Sequence, residues 1–220
     1  MKQISAGRSN IYGFLAKIYE KEITADFLQH LKDPKFQRSF SELGIQITSD
    51  FLGKQEKELL EEFSVEYAWL FLGPGKYISP HESVHHVLEG GDWGSLWGKS
   101  TVEVKNFIET AGLEFQTNYK GMPDHISVEL EFMRHATLRE SQAWENEDFE
   151  GAVYCLKMEK MFLHQHLAQW TTPFCDQVIE KSRLLFYREI AVITKEYIAY
   201  ENQNMDIYLS EAEKIISAVY

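Results

Sequence analysis

The sequence predicts an all-α fold: a helical bundle of about nine helices in two parts joined by a loop-rich hinge. Three observations lead there. Apolar residues recur at helical spacing along most of the 220 residues. Capping residues, prolines and glycines punctuate those stretches where helices begin and end. No stretch alternates apolar and polar residues as a half-buried strand would.

The elements follow in order. Ile11, Phe14, Leu15, Ile18 and Tyr19 form an apolar stripe, with Ser9 as its expected N-cap. Thr24 opens a short helix through Leu31, and Asp33-Pro34 supplies cap and first position of a third, reaching Leu43. Asp50 to Leu72 carries Phe51, Leu59, Leu60, Phe63, Tyr67, Leu70 and Phe71, a long amphipathic helix that Gly73-Pro74-Gly75 stops. Residues 73–99 hold six glycines, two prolines, Trp93 and Trp97, and read as the hinge, interrupted by a short helix over Glu82–Leu88. Ser100 then caps a helix that Gly112 ends. Pro123 opens the next, which runs to Trp144 with Asp124 in its first turn, where the helix N-terminus favours negative charge. Asp148 begins a helix to Trp170, Thr172-Pro173 starts another to Glu201, and Asp206 caps the last. The chain is thus read as one domain over 1–220, with helical parts over 1–99 and 100–220.

Composition narrows the function. Lysine and arginine number 22 against 34 acidic residues, a formal charge of −12. Such a surface repels nucleic-acid phosphates and attracts basic peptides or basic protein surfaces. Cys155 and Cys175 have no metal-ligand spacing and fit a reducing compartment. Residues 1–10 lack the apolar core of a signal peptide. No apolar run approaches the ~20 residues of a membrane span. The expected location is the cytoplasm, with no integral membrane span and no nucleic-acid partner.

Catalytic constellations are missing from the sequence. Eight histidines make chance pairs with carboxylates expected. Glu82-x-x-His85 has the spacing used in di-iron bundles, but those need a second such pair and two further glutamates. His164 and His166 point to different sides of a helix. There is no Gly-x-Ser-x-Gly elbow and no phosphate-binding glycine loop. No catalytic residue and no metal ligand is assigned.

What remains is a set of aromatic and acidic residues at loops: Glu66, Tyr67 and Phe71, then Pro80, His81 and Glu82, then Asp124 and His125. Aromatic faces with carboxylates suit an arginine-containing, partly apolar peptide. Each residue also has a plainer reading. Tyr67, Leu70 and Phe71 fit a buried stripe. Glu66 and Glu82 fit surface carboxylates or caps. Asp124 fits a helix-dipole partner, and His125 a structural hydrogen bond.

Several motifs together resemble the TorD/DmsD family of cytoplasmic molybdoenzyme chaperones, the redox enzyme maturation proteins. They are Glu66-Tyr67-x-x-Leu70-Phe71 with Gly73-Pro74-Gly75, then Pro80-His81-Glu82-Ser83-Val84, then Pro123-Asp124-His125-Ile126-x-x-Glu129-Leu130-Glu131-Phe132-Met133. A weaker one is Phe162-x-x-x-His166-Leu167-x-x-Trp170-x-x-Pro173-Phe174. The resemblance implies a non-catalytic helical protein that binds the twin-arginine leader of a client molybdoenzyme, or the client's body. It would hold back export and assist insertion of the molybdenum cofactor. The binding surface would fall on Glu66, Tyr67, Leu70, Phe71, Pro80, His81, Glu82, Pro123, Asp124 and His125. His81 and His85 depart from the family pattern, where aromatic residues are usual. No resident cofactor is implied beyond weak guanine nucleotide binding or transient contact with the client's molybdopterin guanine dinucleotide. A monomer or a domain-swapped dimer fits the hinge. The competing classes are a helical metal-binding enzyme and a general interaction scaffold.

Overall fold

The computed structural model describes residues 1–42, 53–73, 77–86, 94–115 and 120–219. The expected helix start at Asp50, Phe51, Pro74-Gly75, Leu88 and Trp93 lie outside the described residues. Helices α1 (Lys2–Glu20), α2 (Ala25–Lys32), α3 (Pro34–Glu42) and α4 (Glu56–Tyr67) come first, and α4 continues as a π-helical turn, Ala68–Leu72. Then come α5 (Glu82–His85), α6 (Lys99–Thr110), α7 (Ile126–Glu145) and α8 (Phe149–Phe162), which passes through a second π turn, Leu163–Leu167, into α9 (Ala168–Lys181). Helix α10 (Leu185–Val219) closes the order. Among the described residues the only β pairing outside this all-α fold is a single antiparallel bridge, His81 to His125.

Several expected caps are seen. The Thr24 hydroxyl accepts the Phe27 N–H at the start of α2, the Asp33 carboxylate accepts the Lys35 N–H at α3, and the Asp148 carboxylate accepts the Gly151 N–H at α8. Gly112 sits just past α6 at φ 73°, a left-handed conformation suited to glycine.

Other boundaries differ from the expected ones. Helix α1 begins at Lys2, so Ser9 lies inside it, with its hydroxyl donating to the Arg134 carbonyl. Lys99 precedes Ser100 in α6, and the cap position is Gly98. Pro123 and Asp124 precede α7, whose N-cap is His125. Pro173 lies inside α9 instead of starting a helix, and the actual break is at residues 182–184, before α10. Asp206 does not open a helix: α10 is a continuous 35-residue element, and the Asp206 carboxylate pairs with Lys160 at 2.5 Å. Local capping signals lost here because an apolar face that packs continuously outweighs a single polar residue worth about 1 kcal/mol.

The chain forms two compact units, each discontinuous in sequence: Met1–Glu20, Pro80–Thr172 and Glu196–Tyr220 in one, Lys21–Ser79 and Pro173–Lys195 in the other. These are not consecutive halves meeting near residue 99. The reason is that α1 packs along α7, which takes the N-terminal helix into the unit built on α7 and α8. The approach is close: a Cβ on Gly13 would meet Arg134 Cδ at 2.6 Å.

The larger unit has its core on Leu15, Ile18, Leu130, Met133, Leu156, Phe162 and Trp170, each fully buried or nearly so. Phe107, Phe132 and Phe162 form an aromatic cluster with centroids 4.3 to 5.6 Å apart. In the smaller unit Phe63, Tyr67, Phe71, Phe174, Phe186 and Tyr187 pack ring against ring. Offset and edge-on aromatic packing of this kind contributes beyond simple area burial.

Candidate functional site

In the larger unit two short segments cross. The Glu82 N–H donates to the Asp124 carbonyl, and the Ile126 N–H donates to the Pro80 carbonyl, both at 2.9 Å. The crossing sets His81 beside His125, with ring centroids 5.0 Å apart and planes at 79°. Six of the expected residues, Pro80, His81, Glu82, Pro123, Asp124 and His125, are thereby brought together.

Asp124 is completely buried. Its Oδ2 accepts the Ser83 N–H at 3.0 Å, so the carboxylate faces the start of α5 and not the first turn of its own helix. Its Oδ1 is also buried and has no hydrogen-bond partner among the described residues. A buried acceptor in that state carries a desolvation cost that a donor from a ligand would relieve.

His125 Nδ1 accepts the Ser127 N–H at 3.2 Å and lies 2.7 Å from the Ser127 hydroxyl. An imidazole that accepts at Nδ1 holds its proton on Nε2 and stays neutral. Burial, with His81 adding to it, lowers the His125 pKa to about 3, against an opposing pull from Asp124. Burial lowers His81 too, again against Asp124. Neither ring supplies a cation to Asp124 near neutral pH.

Behind the crossing lies a second buried group. Glu82 is 1% exposed. Its Oε1 meets His86 Nε2 at 2.8 Å, and its Oε2 meets His166 Nδ1 at 3.0 Å. The Glu82-x-x-His85 spacing therefore does not describe the contact made. His85 instead stacks on Trp170 at 5.3 Å. Trp170 Nε1 donates to Glu129 Oε2 at 3.1 Å. Burial, reinforced by Glu82, raises the Glu129 pKa well above the ordinary carboxylate range. In the sequence Trp170 stands only in the weakest motif, and His166 only there and beside His164. His86 and the role of Glu129 had no separable signal, since they depend on which helices face each other.

The other four expected residues belong to the smaller unit, and all are buried: Glu66 at 2%, Tyr67 at 4%, Leu70 at 0% and Phe71 at 4%. Tyr67 and Phe71 join the aromatic core. Glu66 accepts the Arg183 and Leu184 N–H groups, the orphan donors before α10, and the Arg183 Nε at 3.0 Å. It is a cap for α10 supplied from another helix.

One buried cluster was not foreseen. The Arg8 guanidinium meets Glu140 at 2.9 Å and both Glu159 and Glu201 at 2.7 Å, with every side chain at most 5% exposed. Arg8 sits in a stretch read as preceding the first helix, so nothing marked it as a core position.

Among the described residues no group of three or more histidine, cysteine or acidic side chains is arranged to hold a metal. Burial pushes the Cys155 thiol up to about 11 and raises Cys175 as well, which suits packing and not nucleophilic attack. No helix among the described residues is long and apolar enough to cross a membrane.

A similar all-helical fold occurs in a crystal structure of a protein from Archaeoglobus fulgidus described as a redox enzyme maturation protein. It is 22% identical, with a TM-score of 0.53, over 87% of this chain and 93% of that one. The family model for the nitrate reductase delta subunit matches residues 29–176, and the chain belongs to that TorD-like family. Curated relatives include the chaperone protein TorD of Shewanella pealeana, 24% identical over 87% of this chain and 86% of the relative. TorD of Shewanella oneidensis is 23% identical over 92% of both.

Proposed function

We propose that this protein is a cytoplasmic, non-catalytic chaperone for a molybdoenzyme. In this reading it binds the client's twin-arginine leader, its body or both, delays export, and assists insertion of the molybdenum cofactor. Family membership and full-length likeness to proteins named as chaperones support the coarse statement. One observation supports arginine recognition: Asp124 has a buried oxygen with no partner among the described residues, beside two imidazoles whose pKa burial lowers. A guanidinium is the donor that would satisfy such an acceptor, through a charge-assisted hydrogen bond. The overall charge of −12 would draw a cationic leader toward the surface. The cofactor is cargo for the client, and this chain is assigned no cofactor of its own.

Calorimetric titration of twin-arginine leader peptides tests the reading. Binding should weaken when both leader arginines become lysines, and again in Asp124→Asn, which keeps the volume and the acceptor for Ser83 but removes the charge. The reading fails if a panel of leaders shows no binding to the wild type, or binding indifferent to the arginine pair.

A further inference from the structure

The crossing that holds Asp124 also holds two rings that can change charge. Residues 81 and 125 pair as an antiparallel bridge, which fixes the two imidazoles 5.0 Å apart. Both histidines are half-buried, whereas Asp124 is completely buried. The histidines, and not the carboxylate, therefore meet solvent. Every residue of the arrangement lies in the larger unit, within Pro80–Thr172.

The two histidines are not equivalent. His125 is the N-cap of α7, with Nδ1 accepting the Ser127 N–H. A proton on that nitrogen would remove the cap. His81 precedes α5 without a side-chain cap bond, so a proton on its ring costs no helix its cap. Among the described residues, three titratable groups act on His81 from the elements packed against it. Asp124 favours its charged form, while His85 of α5 and His125 across the bridge oppose it. Burial outweighs Asp124 and lowers His81 from the ordinary 6.5, whereas His125 is lowered to about 3. As pH falls below neutrality, His81 is the first of the two to gain charge.

We infer that His81 is a proton-operated switch on arginine binding at Asp124. While the ring is neutral, Asp124 Oδ1 is available to a guanidinium. Once the ring carries a proton, its charge sits beside the carboxylate and repels a second cation. Arginine binding and His81 protonation therefore oppose each other, and the opposition is reciprocal. An arginine arriving while His81 is charged expels that proton. Below the His81 pKa, affinity falls by up to about tenfold per pH unit, the limit for one linked proton. This rests on the arginine-recognition reading above and adds its regulation: capture near neutral pH, release in acid.

The test is calorimetric titration of a twin-arginine leader into the full chain between about pH 7.5 and pH 5. Two buffers of different ionisation enthalpy are used at each pH, so that the heats count the protons released. The wild type should lose affinity as pH falls and release up to about one proton per leader bound. His81→Phe keeps a planar ring and removes the titration. Whatever its affinity near neutral pH, its proton release and the steep part of its pH dependence should disappear. His81→Gln, polar and non-titrating, should behave alike, so a local disturbance in one variant does not decide the outcome. The other histidines titrate equally in all three proteins, and the differences isolate His81. If the wild type binds leader but releases no proton across this range, the inference falls while the leader reading stands. It falls equally if both variants release as many protons as the wild type. If the wild type binds no leader near neutral pH, both fall.

Discussion

Arg8→Met should strongly destabilise the larger unit. The guanidinium is the shared cation of three carboxylates at 2.7 to 2.9 Å, supplied by α7, α8 and α10. Two of these carboxylates have other donors. Trp144 Nε1 donates to Glu140 at 2.8 Å, and the Tyr12 hydroxyl donates to Glu201 at 3.1 Å. Among the described residues Glu159 has only the ion pair with Arg8, because neither of its oxygens has a well-aligned hydrogen bond. Burial raises the Glu159 pKa to about 8, with Arg8 opposing and Glu140 adding to the rise. The cluster therefore holds a proton near neutral pH as well as the guanidinium. Removing one partner of a buried charge set costs about 3–5 kcal/mol, because the remaining charges lose compensation in a site that water does not reach. For a chain of this size that corresponds to a fall in Tm of roughly 6–20 °C. Urea unfolding followed by circular dichroism measures it, and a loss below about 1 kcal/mol would refute the reasoning. The same cluster sets a pH dependence. A folded pKa near 8, above the ordinary 4.5 of glutamate, gives stability that is fully present below 4.5 and lost as pH rises to 8. Glu159→Gln removes that titration, so the variant should gain on the wild type between pH 5 and pH 8.5. A constant difference across that range would show that Glu159 does not titrate there.

Two other outcomes follow from the site residues. Glu66→Ala should cost about 1–3 kcal/mol by leaving the N–H groups of Arg183 and Leu184 without their acceptor. Arg183→Ala should cost under about 1 kcal/mol, since its side chain is 52% exposed; thermal melts of the pair decide, and equal losses would assign the effect to the ion pair instead of the cap. For His125 the folded pKa near 3 lies below its ordinary 6.5, so its contribution is present above pH 6.5 and lost as pH falls toward 3. His125→Asn keeps an N-cap side chain for α7 and removes the titration. Between pH 7 and pH 4.5 the wild type should lose stability relative to the variant, and parallel pH profiles in urea would contradict this.

The motif around Pro123-Asp124-His125 was legible as a polar point at a helix start, and it is one. Its geometry was not, because Asp124 acts on α5, a segment 41 residues away in sequence. Glu66 and Glu82 were equally visible as carboxylates near aromatic residues. What each one holds depends on α10 and on the π turn after α8, which no local pattern specifies.

By itself the sequence determined the all-α class, the starts of α2, α3 and α8, the absence of a long apolar span and the family. These follow from periodicity, capping chemistry and motif order, which are properties of neighbouring residues. Only the tertiary structure decided that α1 packs on α7, that Pro173 lies inside a helix, and that Asp206 does not start one. It also decided that Arg8 gathers three glutamates, and which carboxylates are buried. Those outcomes depend on burial and on partners distant in the chain. The energies involved there, several kcal/mol for an unpaired buried charge against about one for a cap, exceed what local signals can set.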